Sequence, residues 1–422
     1  MSKNHKNNLV PRLRFNMFTE GVEWKELLLG EVTYPVSERN KDGNKYPIYS
    51  ISNISGFVPQ SEQFEGVDSH SRGYDVSLYK VIKKDTFAYN PARINIGSLG
   101  FSGELNDVLV SSLYVCFKTK NELDNLGLFC FLKTSGFSDS VKSSVEGGIR
   151  SYLFYENFAK IKVQFPSITE QQKIASCLSS LDKVITAEIQ KLDLLQDHKR
   201  GLLQSLLPVG AEIIPKFRFE EFQDSDEWAE DTLLNLASFR RGSFPQPYGL
   251  PEWYDDENGM PFIQVFDVGE DFRLKPTTKN KISELAAKQS VFIPKGTLII
   301  TLQGSIGRVA ITQYDAYIDR TLLLFEEFHK EIDLTFFAYT IFLLFEIEKQ
   351  KAPGGIIKTI TKEVLSSFVV KLPSIKEQQK IASCFSSLDG VISAQSKKLE
   401  ALILHKKGLV QGLFPNANEV TE

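Results

Sequence analysis

A 42-residue stretch occurs twice in this chain, and it restricts the available folds more than any other feature. Ser167 to Pro208 reads SITEQQKIASCLSSLDKVITAEIQKLDLLQDHKRGLLQSLLP, and Ser374 to Pro415 reads SIKEQQKIASCFSSLDGVISAQSKKLEALILHKKGLVQGLFP. The copies align without a gap at an offset of 207, with about two thirds of positions identical. Ser167 with Glu170, and Ser374 with Glu377, have the spacing of a capping box, in which hydroxyl and carboxylate satisfy backbone N–H groups of the first helical turn. Pro208 and Pro415 mark the stops. About 40 residues lie between these signals, and at about 1.5 Å per residue they predict a rod roughly 60 Å long.

Apolar residues fall at alternating steps of four and three along each copy. The first has Ile174, Leu178, Leu181, Ile185, Leu192, Leu195, Leu202 and Leu206; the second has Ile381, Phe385, Leu388, Ile392, Leu399, Leu402, Leu409 and Leu413. This is the seam of a coiled coil. It is interrupted at matching places by Glu188 and Lys199 and by Gln395 and Lys406. A parallel pair would set Lys199 against Lys406 in an apolar interface. An antiparallel pair whose partner numbers sum to 594 sets Glu188 opposite Lys406 and Lys199 opposite Gln395. That register also matches Leu192 with Leu402, Leu195 with Leu399, Ile185 with Leu409 and Leu181 with Leu413. Antiparallel packing within one chain is therefore expected; a solvated helix lying on its own domain would not need so long a seam.

A fainter repeat precedes each variable stretch: PRLRFNMFTEGVEW from Pro11 and PKFRFEEFQDSDEW from Pro215 share Pro, Arg, Phe, Phe, Glu and Trp at an offset of 204. The chain thus reads as two tandem units, about 11 to 214 and 215 to 422. The expected divisions are an arm (1–24), a domain (25–165), a helix (166–208), a linker and second arm (209–228), a second domain (229–372), a second helix (373–415) and a tail (416–422). Within the first domain, Tyr46–Ile51, Tyr74–Ile82, Val108–Phe117 and Ala159–Phe165 look like strands between turn-forming clusters. In the second, the strand-like runs are Pro261–Phe266, Thr297–Leu302, Gly307–Thr312 and Ser367–Leu372, with a helix from Leu334 to Lys349. The domains resemble each other weakly except where Gly147-Gly148-Ile149 matches Gly354-Gly355-Ile356. The expected fold class is α+β: two β-rich domains joined by two long antiparallel helices, with pseudo-two-fold symmetry.

Little in the sequence resembles reaction chemistry. The chain has no G-x-x-x-x-G-K-[ST] loop, no H-E-x-x-H and no C-x-x-C, and its four cysteines stand far apart, as reduced thiols of a cytoplasmic protein would. Tyr89-Asn90-Pro91-Ala92 lacks the second proline and the aromatic of an amino-methyltransferase element and is read as a turn. Glu346 and Glu348-Lys349 read as the charged end of a helix. Leu334–Phe345 is too short to span a bilayer, and the N-terminus is no signal peptide. Net charge is −4, and the long helices do not hide a basic remainder, so any nucleic-acid face must come from local clustering. The candidates are cations on Gly-rich loops: Lys83, Lys84, Arg93, Arg150, Arg240, Arg241 with Ser243, Ser305 with Arg308, Arg320 and Lys358. Arginine can hold guanine edges, lysine neutralises phosphate, and glycine lets the backbone approach closely.

The sequence resembles the specificity subunits of type I restriction-modification systems. The P-x-x-R-F-x-x-F arms at Pro11 and Pro215, the Gly-Gly turns and the P-S-I-x-E-Q-Q-K-I-A helix starts at Pro166 and Pro373 carry the resemblance. So do the H-K-[RK]-G-L-[LV]-Q endings at His198 and His405 and the segment FIPKGTLIIT to GSIGR within Phe292–Arg308. The resemblance implies two target-recognition domains, each reading half of a bipartite site in double-stranded DNA, held apart by antiparallel helices that act as a ruler. About one DNA turn, roughly 34 to 36 Å, would separate the two readers. It also implies that catalysis lies elsewhere: in two modification subunits that use S-adenosylmethionine, and in restriction subunits that use ATP and magnesium. No catalytic residue, cofactor or metal ligand is expected in this chain, and no membrane. Outer helix faces and arms are candidate seats for the modification subunits. Two rival readings are a coiled-coil adaptor with β-rich ligand-binding domains and an enzyme with an unrecognised site.

Overall fold

The computed structural model describes residues 11–20, 24–144, 152–208, 210, 212–351 and 362–414. The chain divides into two compact units, 1–188 with 398–422 and 189–397. The tandem repeats are contiguous in sequence, whereas the compact units are not. Each unit takes one domain, the head of one long helix and the tail of the other.

The first unit contains β1 (Lys25–Leu28), β2 (Thr33–Val36), β3 (Ile48–Ser52), β4 (Gly56–Pro59), β5 (Lys80–Ile82), β6 (Phe87–Tyr89), β7 (Leu99–Phe101), β8 (Val108–Val110), β9 (Val115–Thr119) and β10 (Lys162–Phe165). They form sheets of order β2-β9-β6-β7 and β4-β3-β8-β5 and a ribbon β1-β10. All pairs are antiparallel except β3 with β8. The second unit contains β11 (Ala229–Thr232), β12 (Ala237–Arg241), β13 (Met260–Ile263), β14 (Asn280–Ile282), β15 (Val291–Ile293), β16 (Leu298–Thr301), β17 (Val309–Ile311), β18 (Ala316–Ile318), β19 (Leu322–Phe328) and β20 (Val369–Leu372). Its sheets are β12-β19-β16-β17 and β14-β13-β18-β15 with ribbon β11-β20, and β13 runs parallel to β18. Strand for strand, the two orders are the same. Two domains with little sequence in common therefore share one scaffold.

The strand expectations hold in place but overreach in length. Tyr74–Ile82 yields only Lys80–Ile82, and Val108–Phe117 is cut in two by a turn at Ser111–Tyr114. The expected helix of the second domain is present as Leu334–Lys351. Its counterpart in the first domain is broken into Asn125–Phe131 and Ser135–Ser143, because Thr134 stops one helix and N-caps the next through its hydroxyl.

The long helices span Ile168–Leu206 and Ile375–Leu413, 39 residues each. Every expected seam residue is buried or half-buried, while most of its sequence neighbours are exposed. Ion pairs inside each unit make the helices antiparallel. Lys406 pairs with Asp182 in the first and Lys199 with Asp389, at 2.6 Å, in the second. The register differs from the one anticipated. Partner numbers sum to 588 in both pairs, not 594, and Glu188 meets Lys398 at 2.6 Å rather than Lys406. Lys199 meets Asp389 rather than Gln395, which is buried. The expected partnerships of Leu181 with Leu413 and Ile185 with Leu409, which lie within the first unit and were built on the sum of 594, are displaced with it. The helix tails fix the register. Leu413 and Phe414 are buried in one core with Ile174, Leu178 and Trp24, and Leu206 and Leu207 are buried in another with Ile381, Phe385 and Trp228. Burying these apolar tails outweighs matching charges along a half-exposed seam.

The helix heads show what the E-Q-Q motif does. The Ser167 and Ser374 hydroxyls accept from the Glu170 and Glu377 N–H groups at 3.4 Å, the serine half of a capping box. The glutamates do not complete it. Glu170 is held bidentately by Arg14, both contacts at 2.8 Å, and Glu377 by Arg218 in the same geometry. A planar guanidinium that fits a carboxylate fork outcompetes a single backbone N–H. Gln171 donates to the Pro166 carbonyl at 3.0 Å and accepts from the Asp124 N–H at 2.9 Å; Gln378 repeats this with Pro373 and Asp333. Each arm also reaches the other helix's tail, with Leu13 N–H donating to Gly412 O and Phe217 N–H to Ser205 O, both at 2.8 Å. The arms thus clip head to tail within each unit. The Gly-Gly turns and Pro415 lie outside the described residues.

Candidate nucleic-acid interface

Strand order brings part of the candidate set together at one end of a sheet. In β12-β19-β16-β17, Arg241 pairs with Leu323, Thr301 with Leu322 and Ile300 with Val309. The end of β12, the start of β19, the end of β16 and the start of β17 therefore share one edge. Arg241, Gly242, Ser243, Ser305, Arg308 and Arg320 all belong to the connections there. In the first domain the matching end of β2-β9-β6-β7 carries Arg93, on the turn that links β6 to β7. Lys83 and Lys84 lie before β6, at the opposite end. Arg150 and Lys358 lie outside the described residues.

Backbone geometry builds the Arg241–Ser243 corner. Gly242 N–H donates to Leu322 O at 3.1 Å and Ser243 N–H to Ile318 O at 3.1 Å. A Cβ on Gly242 would stand 2.3 Å from Ile318 O and 2.5 Å from Asp319 O, so only glycine fits. The Ser243 hydroxyl is spent on Gln289 O at 3.0 Å. Asp319, 1% exposed, accepts from the Thr321 N–H and hydroxyl, both at 2.7 Å, and from the Tyr248 hydroxyl. Burial, then the bond to Asp319, pushes the Tyr248 hydroxyl far above the ordinary tyrosine pKa. Tyr248 stays a neutral donor, and Arg320 lies over its ring at 4.9 Å. The Tyr248–Asp319 pair carries no local sequence signal, because its members lie 71 residues apart and meet only through the fold.

The candidates differ in how far their charge is already spent. Lys83 pairs with Asp107 at 2.5 Å and lies 3.9 Å from Glu38, and Lys84 pairs with Glu104 at 2.7 Å. Arg240 pairs with Glu326 at 2.6 Å across two exposed side chains. Arg308 binds Glu270 and the Val268 carbonyl and so braces the loop before β14. Arg93 and Arg320 are exposed and have no carboxylate partner among the described residues. Beside Arg93, at the same sheet end, Ile96 and Leu113 are 58% and 76% exposed. No group of His, Cys, Asp and Glu that could hold a metal is present among the described residues, and no described helix is long and apolar enough to cross a membrane.

Two copies of one β scaffold thus present unlike turns at corresponding sheet ends, with exposed Arg93 in the first domain and exposed Arg241 and Arg320 in the second. The family model for the type I restriction modification DNA specificity domain matches residues 21–196 and 250–404. The chain belongs to that family, and it supplies DNA sequence specificity to a type I restriction-modification system. It is similar to the type I restriction enzyme MjaVIII specificity subunit of Methanocaldococcus jannaschii, at 25% identity over 72% of this chain and 73% of that one. Its fold is similar to a chain from a structure on complex assembly and conformational transition of the type I R-M system, at 15% identity, 93% and 97% coverage and a TM-score of 0.61. It is also similar to the type I restriction-modification S subunit from M. genitalium, at 15% identity, 96% and 99% coverage and a TM-score of 0.57.

Proposed function

We propose that each domain reads one half of a bipartite duplex site through the sheet end that carries Arg93 in the first domain and Arg241, Ser243, Ser305, Arg308 and Arg320 in the second. The observation that carries this reading is an identical strand order under unlike loops, which lets one scaffold present two different surfaces. Arg93 and Arg320 are the base or phosphate contacts with charge to offer, and Ile96 and Leu113 are suited to thymine methyl groups. Lys83, Lys84 and Arg240, paired with carboxylates, contribute at most to the surrounding field.

On this reading the chain has no chemistry of its own. It acts in the cytoplasm on double-stranded DNA, together with two modification subunits that bring S-adenosylmethionine and restriction subunits that bring ATP and magnesium. The arms, committed to clipping helix head to tail, are placed on the structural side; the outer faces of the long helices remain the seat proposed for the modification subunits. The test is binding of the purified chain, alone and mixed with its methyltransferase partner, to a duplex carrying its site. Specific binding and adenine methylation of that duplex are expected in the mixture. Methylation or cleavage by the chain alone would overturn the reading.

A further inference from the structure

The two units differ where their shared strand order would make them alike. The connection from β13 to β14 runs from Gln264 to Lys279, whereas its counterpart between β3 and β4 is only Asn53 to Ser55. The long connection folds into a narrow hairpin, with Val268 bridging Leu274 and Gly269 N–H donating to Arg273 O at 2.8 Å. Its tip carries Asp271 and then Phe272, the latter at a φ of +59°. The Phe272 ring fills a groove beside the long helices of the second unit, 4.2 Å from the Tyr339 ring, 5.3 Å from that of Phe342 and 4.8 Å from the Lys199 ammonium.

The first unit has the same groove without the hairpin. Lys406 and Asp182 are the repeat counterparts of Lys199 and Asp389 and form the same pair. Gln171 and Gln378 hold Asp124 and Asp333 alike, and counting from these anchors puts Cys130 where Tyr339 stands and Lys133 where Phe342 stands. With only a tight turn above it, a cleft of about 720 Å³ is left open, its wall including Cys130, Leu178 and Asp182. Ile54, Leu126 and Ile403 line it while 84%, 44% and 50% exposed. Lys133, Lys406 and Lys407 also line it, and Asp182 is the one carboxylate among its described lining residues.

We infer that this cleft is a docking seat for a partner polypeptide that presents an aromatic side chain next to a carboxylate on a tight turn, as Asp271 and Phe272 do within the second unit. The cation that seats the Phe272 ring has its counterpart in Lys406, and the extra lysines favour a carboxylate beside the incoming ring. The pocketed shape, an apolar wall of Ile54, Leu126, Leu178 and Ile403 beside a lysine as around Phe272, suits a single inserted aromatic side chain and not the stacked bases of a duplex.

The probe is a peptide of Val268–Leu274, closed by a disulfide between added terminal cysteines, with 4-fluorophenylalanine at the position of Phe272. It is titrated against the full chain by fluorine NMR. A saturable shift is expected. It should weaken about tenfold or more in Ile403→Trp, which blocks the opening, and in a peptide with alanine in place of the aromatic's neighbouring aspartate and of the aromatic, followed by competition. Leu404→Trp, one residue along the same helix, is 70% exposed, does not line the cleft and should leave binding unchanged. Circular dichroism confirms that each variant is folded. No saturable shift, an equal shift in Ile403→Trp, or displacement of the peptide by a random DNA duplex would overturn the inference, the last by assigning the cleft to nucleic acid.

Discussion

Removing Arg218 should loosen the second unit more than any surface charge in it. The Arg218 and Glu377 side chains are 8% and 1% exposed and share a bidentate contact at 2.8 Å. Arg218 also donates to Ser225 O at 2.9 Å and Asp226 O at 3.0 Å. The bond to Glu377 raises the arginine pKa further above its ordinary value, so the guanidinium keeps its charge at any working pH. Arg218→Ala leaves a buried carboxylate without its counter-ion, which costs about 3–5 kcal/mol. With a urea m-value of about 2–3 kcal/mol/M, the midpoint should fall by about 1–2.5 M. Trp228 and Trp253 report on this unit once Trp24→Phe has silenced the tryptophan of the other. Arg218→Met with Glu377→Leu should recover most of the loss, because no orphaned charge remains. A loss below about 1 kcal/mol in Arg218→Ala, the range of a solvated pair, would refute the reasoning.

Four further outcomes are expected. Gly242→Ala drives a methyl group into two backbone carbonyls and should cost about 1–3 kcal/mol in urea unfolding, together with the second half-site in binding assays. Phe385→Ala, which empties a fully buried position against Tyr339, should cost about 3–5 kcal/mol by the same measurement. Burial pushes the Cys130 thiol up to about 11, so it is almost wholly protonated at neutral pH. Its iodoacetamide labelling, read by peptide mapping, should rise about tenfold per pH unit between pH 8 and 10 and level off only near 11. Deleting Glu188–Leu194 together with Gln395–Ala401 removes one heptad from each helix, about 10 Å. Methylome sequencing should then show a spacer shorter by about three base pairs with unchanged half-sites.

The long helices were legible because their a/d pattern is both extended and repeated, and their opposite directions followed from Lys199 and Lys406. Their register was not legible. It depends on where Phe414 and Leu207 are buried, and a seam considered apart from its domains carries no trace of that. The role of Glu170 is hidden for a related reason. S-x-x-E is a local signal, and the Arg14 that takes the carboxylate lies 156 residues away in sequence. Short strands such as β8 and β16 are buried on both faces, so they lack the alternation that sets strand ends. At the interface, arginines and glycines could be picked out by type. Which cations already had partners could not, since Asp107, Glu104 and Glu326 meet them only through the sheet fold.

On the proposed function, two domains of one scaffold read separate halves of a site. Its most direct test is the methylome of cells carrying the chain, compared with cells in which residues 25–165 are replaced by the corresponding domain of another family member. One half-site should change while the other half-site stays as it was. Alteration of both halves, or of neither, would contradict the account.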